Sequence, residues 1–318
     1  MPWQRQVADV ALEVDPATGL LAYREMVLTV PRQSGKTLLE LAVMVHRARS
    51  WQRQGIVYSA QTRHHARRKW EDEHVPALDR SPLAGSYRVR RQLGAEAIIW
   101  ANGSMHGITG PTEKAGHGDT LDLVMLDEAW ALEDNRVEQD LSPTTITRPQ
   151  PQWWVTSTAG TAKSRYLRGK VDRGRARVAA GQSGQVAYFE WSADPDADPA
   201  DPATWWSCMP ALGRTVTEAA TAAELERLDL PEFHRSSLAA LRAAAAQPLT
   251  PPPRSPIVTG PLQTARRGPE CLPRNAVIAE LDADPARRLV AAFLLADPSG
   301  GAGAAGSRAL RDRRTGHS

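Results

Sequence analysis

Val30-Pro31-Arg32-Gln33-Ser34-Gly35-Lys36-Thr37 stands between an apolar run and a stretch of helical length, and its reading decides the fold. The phosphate-binding loop pattern is glycine, four residues, then Gly-Lys-Thr or Gly-Lys-Ser. Every required position matches except the first, where Val30 replaces glycine. The chemistry tolerates that change. Backbone N–H groups of such a loop point at phosphates, Gly35 permits close backbone approach, Lys36 reaches β/γ oxygens and the Thr37 hydroxyl can hold Mg²⁺. A bare Gly-Lys-Thr recurs by chance. Its weight comes from placement between the run Glu25-Met26-Val27-Leu28-Thr29-Val30 and a helix over 37–48 with apolar Leu38, Leu41, Ala42 and Val45 on one face.

Outward from the loop, strand-like and helix-like segments alternate. Gly55-Ile56-Val57-Tyr58-Ser59-Ala60 reads as a strand and residues 64–74 as a charged helix. Ala97-Ile98-Ile99-Trp100, Leu121-Asp122-Leu123-Val124-Met125-Leu126 and Gln152-Trp153-Trp154-Val155-Thr156-Ser157 read as further strands. The spacing predicts an α/β fold of the P-loop NTPase type, a mainly parallel twisted sheet flanked by helices and followed by a poorly structured C-terminal tail. The apolar strand ending in Asp127-Glu128 is what a hydrolytic P-loop enzyme needs: Asp127 for the Mg²⁺ shell and Glu128 to polarise an attacking water. The ordinary alternative is an Asp127 that caps the next helix and a solvated Glu128. Thr156-Ser157-Thr158-Ala159-Gly160, at the end of the neighbouring strand, can sense a γ-phosphate by hydrogen bonds, although such hydroxyls are also common turn chemistry.

Composition narrows the classes. The 318 residues are 42% hydrophobic and 24% charged, with a formal charge of +3. No run nears the roughly 18 apolar residues that cross a bilayer, and Met1-Pro2-Trp3-Gln4-Arg5-Gln6 lacks the apolar core of a signal peptide. Membrane and secreted classes drop out. Cys208 and Cys271 are too few for a disulfide framework, which fits a reducing, cytoplasmic compartment. From Arg235 onward there are twelve arginines against six acids, ten prolines and one aromatic residue, Phe293, so the basic charge belongs mostly to this segment. A chain so poor in large apolar groups is expected to be disordered or loosely packed. The domain boundary falls near residue 240, giving a 1–240 ATPase domain and a 241–318 tail. Local helices are expected at 236–246 and 275–281.

The ordered set of motifs resembles the large terminase subunit of tailed bacteriophages. The resemblance rests on Pro2-Trp3-Gln4, the Arg-Gln-Ser-Gly-Lys-Thr loop, Tyr58-Ser59-Ala60-Gln61-Thr62 followed by basic Arg63 to Lys69, His117-Gly118-Asp119-Thr120-Leu121-Asp122 running into Asp127-Glu128-Ala129, and Thr156-Ser157-Thr158. It covers about residues 1–240. It implies an ATPase that, with ATP and Mg²⁺, drives double-stranded viral DNA into a capsid as a homo-oligomeric ring, alongside a small terminase subunit and the capsid portal, in the cytoplasm of a bacterial host. It also implies roles that residue type alone does not give. Gln4, in a helix-forming stretch where glutamine is ordinarily solvated, would contact adenine. Arg32 would act on the γ-phosphate rather than pair with a nearby acid, and Thr156, Ser157 and Thr158 would couple hydrolysis to movement.

Other segments carry expectations of their own. The run His64-His65-Ala66-Arg67-Arg68-Lys69 offers phosphate contacts to DNA or, more ordinarily, a solvated helix face. Arg165 and Arg168 offer a finger to a neighbouring subunit, and Trp205-Trp206 would pack a lid subdomain against the ATPase core. The family's C-terminal nuclease needs several acids at strand ends. Here Leu289-Val290-Ala291-Ala292-Phe293-Leu294-Leu295-Ala296-Asp297 could supply one, with 21 residues following, so no endonuclease activity is expected. A chain truncated at that end, and starting abruptly at the adenine motif, fits either a motor ATPase or a prophage remnant that only binds nucleotide. A helicase-like ATPase shares the loop and the Asp-Glu strand but needs a second motor domain.

Overall fold

The computed structural model describes residues 1–111 and 120–239. Eight strands form one sheet in the order β3-β4-β5-β2-β6-β7-β1-β8. They are β1 (Glu25–Thr29), β2 (Gly55–Ser59), β3 (Tyr87–Arg90), β4 (Ala97–Trp100), β5 (Met105–Thr109), β6 (Leu123–Leu126), β7 (Gln152–Ser157) and β8 (Val186–Glu190). The run β5-β2-β6-β7-β1-β8 is parallel throughout, whereas β4 pairs antiparallel with both β3 and β5. The sheet is therefore mixed at one edge and parallel at its centre, as the sequence predicts for a mainly parallel sheet.

Period-two alternation sorts the strands' side chains between two cores. One core takes Tyr58, Leu123, Met125 and Trp154 against α1 (Pro2–Ala11) and α2 (Lys36–Ser50), and continues onto α3 (Arg63–Lys69), the π-helical turn Trp70–His74 and α4 (Val75–Asp79). The other takes Val57, Val124, Leu126 and Val155 against α5 (Arg136–Thr145) and α6 (Arg165–Ala179). A fully buried Leu, Val or Met contributes about 1.5–3 kcal/mol, so the central strands anchor the fold from both faces. Close packing of α6 requires a glycine. A Cβ on Gly174 would stand 2.2 Å from the Tyr188 ring of β8.

The structure corrects several boundaries. The helix expected over 64–74 is two helical segments joined by the π-helical turn, and the strand expected from Leu121 begins at Leu123. After β8 come α7 (Pro202–Cys208), α8 (Glu218–Arg227) and α9 (Leu230–Ser236), which share a third apolar cluster. Trp205 is buried within that cluster, beside Cys208, Met209, Leu212 and Phe233, while Trp206 is 55% exposed and donates its indole N–H to Glu218. The pair therefore does not clamp a lid onto the sheet. α9 ends at Ser236, where the sequence predicts a new helix to begin. Residues 240–246, the helix expected at 275–281, the strand at 289–297, the tail and His117-Gly118-Asp119 all lie outside the described residues.

Candidate active site

The loop leaves β1 and enters α2 through Gly35, whose φ of 84° is left-handed and whose Cβ, if present, would meet Gln4 Nε2 at 2.9 Å. Glycine is required there on both counts. Gln4 is buried rather than solvated, and its Nε2 donates to the Gly35 carbonyl at 2.7 Å. α1 is thereby tied beneath the loop. Arg32 is held by α9: its backbone N–H donates to Ser236 O at 2.9 Å, and its guanidinium lies 3.5 Å from Glu232. The side chain thus pairs with an acid, the ordinary alternative for this position. Gln33, also at positive φ, completes the turn.

Lys36, at the first position of α2, donates to Asp127 Oδ1 and lies 3.7 Å from Glu40 one helical turn on. The end of β6 thus reaches the loop lysine, the juxtaposition the two motifs predict. Asp127 is buried and its two oxygens are shared out: Oδ1 also accepts from the Glu128 N–H at 2.7 Å, and Oδ2 accepts from Tyr58 Oη at 2.8 Å and Lys69 Nζ at 2.6 Å. Burial works against its negative charge, but Lys36 and Lys69 outweigh that and hold the carboxyl below its usual range. It does not act as a helix cap. Glu128 follows in a left-handed conformation, φ 54°, which turns its half-buried side chain to the mouth of the cleft, 3.8 Å from Lys69.

Thr156, Ser157 and Thr158 go separate ways because successive strand residues face opposite sides. Thr156 Oγ1 donates to Glu40 Oε1 on the α2 side. Ser157 Oγ accepts from the Trp130 N–H, 3.0 Å, on the other. Thr158 caps the strand end at the cleft, where its buried hydroxyl, like that of Ser34, finds no partner among the described residues. Two orphaned buried hydroxyls bordering the same cleft as Lys36 are what a bound oxyanion would satisfy. Arg32 to Thr37, Gln4, Glu128 and Trp130 border a cleft of about 1100 Å³, roomy for a ligand of several hundred daltons.

Glu40, Lys69 and Tyr58 join the site without a local motif that marks them for it. Glu40 interrupts an apolar helix face four residues after Lys36, a spacing that pairs side chains. Its carboxyl is fully buried; desolvation and the nearby Asp127 push its pKa up to about 7. Lys69 ends the basic run read as a solvated or DNA-contacting face. It flanks the face of buried Ala66 and Trp70, as exposed Arg67 does on the other side, so helical phase alone does not mark it; the acids at the end of β6 draw it inward. The remaining arginines of the run face acids: Arg63 and Arg67 pair with Glu96, and Arg68 with Asp72. Arg165 is exposed and Arg168 partly so, and the cleft is bordered by neither. Arg214 borders it from the α7–α8 connection.

The Glu40 proton gives the site a pH signature. The folded chain releases it near pH 7 and the unfolded chain near 4.5, so its stabilising contribution is complete below pH 4.5 and fades as pH rises to 7. Urea denaturation across that window should show unfolding free energy falling less steeply in Glu40→Gln than in the wild type. Parallel profiles would assign the slope elsewhere.

The donors near Lys36, a Thr37 hydroxyl and the Asp127 carboxylate, are hard oxygens of the kind Mg²⁺ takes when phosphates complete its shell. Among the described residues no group of three or more His, Cys, Asp or Glu is placed to hold a metal by itself. No helix of the described residues is long and apolar enough to cross a membrane.

A phosphate loop between a central parallel strand and a helix, facing an acidic strand end, defines a P-loop α/β protein. Its fold is shared with phage large terminases. The crystal structure of the HK97 bacteriophage large terminase is similar with a TM-score of 0.63 and 21% identity, over 76% of this chain and 50% of that one. The large terminase from a thermophilic bacteriophage is similar at 0.53 and 12%, over 74% and 52%. The same thermophilic phage protein in complex with ADP gives 0.51 and 13%, over 74% and 52%. The chain spans about half the length of these proteins. No family model and no curated protein matches the sequence.

Proposed function

We propose that this chain is the ATP-hydrolysing part of a large terminase, which turns over ATP with Mg²⁺ to translocate double-stranded viral DNA into a capsid. The observation that carries the reading is the meeting of Lys36 with Asp127, with Glu128 turned to the same cleft. In this reading Gln33, Ser34, Gly35, Lys36 and Thr37 cradle the phosphates, Gln4 lies at the adenine end, and Arg32 leaves Glu232 for the γ-phosphate. Thr37 and Asp127 would hold Mg²⁺, whose contribution is to neutralise phosphate charge. Glu128 orients water and accepts its proton as the terminal P–O bond breaks, and the ADP oxygen takes up the negative charge. Thr156, Ser157 and Thr158 pass the loss of phosphate to both layers of the domain. The ADP complex of the thermophilic phage's large terminase supports a nucleotide in a fold of this kind.

The partners proposed with this role are duplex DNA, a small terminase subunit, the capsid portal and further copies of this chain in a ring within the host cytoplasm. The boundary near residue 240 and the lack of an endonuclease belong to the same proposal. Phosphate release from ATP by the purified chain, with and without double-stranded DNA, tests it. Expected are Mg²⁺-dependent turnover, a rise with DNA, and loss of nucleotide binding in Lys36→Ala. Binding without turnover in any condition would identify a nucleotide-binding remnant, and no binding would end the reading.

A further inference from the structure

We infer that Lys69 is a positioning residue that takes over the charge of Asp127 so that Lys36 is free to bind phosphate. The inference rests on the proposed nucleotide site and concerns a side chain outside the phosphate loop.

Lys36 has two competing partners. In the described structure it is engaged by Asp127 and stands 3.7 Å from Glu40, yet phosphate binding requires it to turn toward the cleft. Withdrawing the single cation of a buried carboxylate ordinarily leaves an uncompensated charge, which is strongly unfavourable. Asp127 avoids this through the division of its two oxygens. Lys36 serves Oδ1, while Lys69 Nζ, at 2.6 Å, serves Oδ2 together with the Tyr58 hydroxyl at 2.8 Å. The two ammonium groups use different oxygens, so Lys69 stays in place when Lys36 leaves. Oδ1 then keeps the Glu128 N–H at 2.7 Å. Asp127 is left with one cation, the hydroxyls of Tyr58 and, at 3.3 Å, Thr156, and one amide, so its charge stays compensated while the place of Lys36 on Oδ1 opens.

The fold holds Lys69 to this task. Ala66 of α3 and Trp70, the first residue of the π-helical turn, are fully buried on one side of Lys69, so the lysine stem leaves the helix beside a packed surface. The π-helical turn that begins at Trp70 continues straight from it, and such turns recur at functional sites. Lys69 also borders the cleft and lies 3.8 Å from Glu128, within reach of both acids of the strand end. Glu40 reinforces the need. It is buried, its Oε2 finds no partner among the described residues, and it draws on the same Lys36. Two buried carboxylates thus compete for Lys36, and only Asp127 has a second lysine.

A solely structural Lys69 and a positioning Lys69 differ in what its loss does to a folded molecule. Titration with a fluorescent ADP in Mg²⁺ buffer, on protein whose thermal melt shows it folded, reads the difference directly. Lys69→Met should weaken ADP binding by about tenfold or more, because Lys36 stays locked on Asp127. Lys69→Arg, which keeps the charge, should restore most of the affinity. Should Lys69→Met fail to fold, Lys69→Gln retains a donor for Oδ2 without the charge and should show the same loss. Wild-type or tighter affinity in the folded neutral variant would overturn the inference alone. A wild type that binds no ADP would overturn it together with the proposed nucleotide site.

Discussion

Glu128→Gln should bind ATP as the wild type does and turn it over at least about a hundredfold more slowly, since loss of a positioned general base removes contributions of that size. The substitution is clean in this structure. Glutamine keeps the volume and fits the same left-handed backbone, and the Glu128 N–H that donates to Asp127 is untouched. What changes is the charge 3.8 Å from Lys69 and the ability to accept a proton at the cleft. Steady-state phosphate release together with equilibrium nucleotide binding separates the two effects. Equal turnover would remove Glu128 from the chemistry.

Asp127→Ala should be the most damaging change to the unliganded fold, with a loss of about 3–5 kcal/mol in urea denaturation without nucleotide, the range for removing one partner of a buried ion pair. It strands Lys36 and Lys69 in mutual repulsion and deprives the buried Tyr58 hydroxyl of its acceptor. Against a typical total stability of about 5–15 kcal/mol this brings the domain close to unfolding. Asp127→Asn, which leaves Tyr58 an acceptor, should cost less. A loss below about 1 kcal/mol for the alanine variant would mean that Glu40 already neutralises both lysines.

The central parallel strands were legible because they are buried on both faces and read as continuous apolar runs; the expected and observed bounds of β7 coincide, and β1 and β2 each end one residue earlier than expected. The partners of β4, the edge strand β3 and its inner neighbour β5, were not. Tyr87-Arg88-Val89-Arg90 alternates over only four residues, the lower limit of a strand signal, and Met105-His106-Gly107-Ile108-Thr109, with a glycine and a histidine, shows neither an apolar run nor clean alternation. Their antiparallel pairing with β4 could not be read from spacing alone. At the site, the loop and the acidic strand end announced themselves by local pattern. Tyr58, Glu40 and Lys69 did not, since their role comes from where three different elements meet. The run ending at Lys69 reads by its charge, and helical phase sets only Arg68 apart: Lys69 and Arg67 flank the Ala66–Trp70 face alike, so the acids at the end of β6 decide which turns inward.

The arrangement of β7 has a mechanical consequence. The strand is laced along its length to β6 on one side and β1 on the other, so it cannot slide by a single residue without turning Thr156 and Ser157 over and exchanging their partners. Its two faces are held at once: Thr156 by Glu40 on one side and Ser157 by the Trp130 N–H on the other. Trp130 in turn lies under the Arg235 guanidinium, 5.3 Å from its ring centre, which joins this side of the strand to α9, the helix that grips Arg32. A continuous chain of contacts thus runs from the helix after the phosphate loop, through the two faces of one strand, to the helix that clasps Arg32.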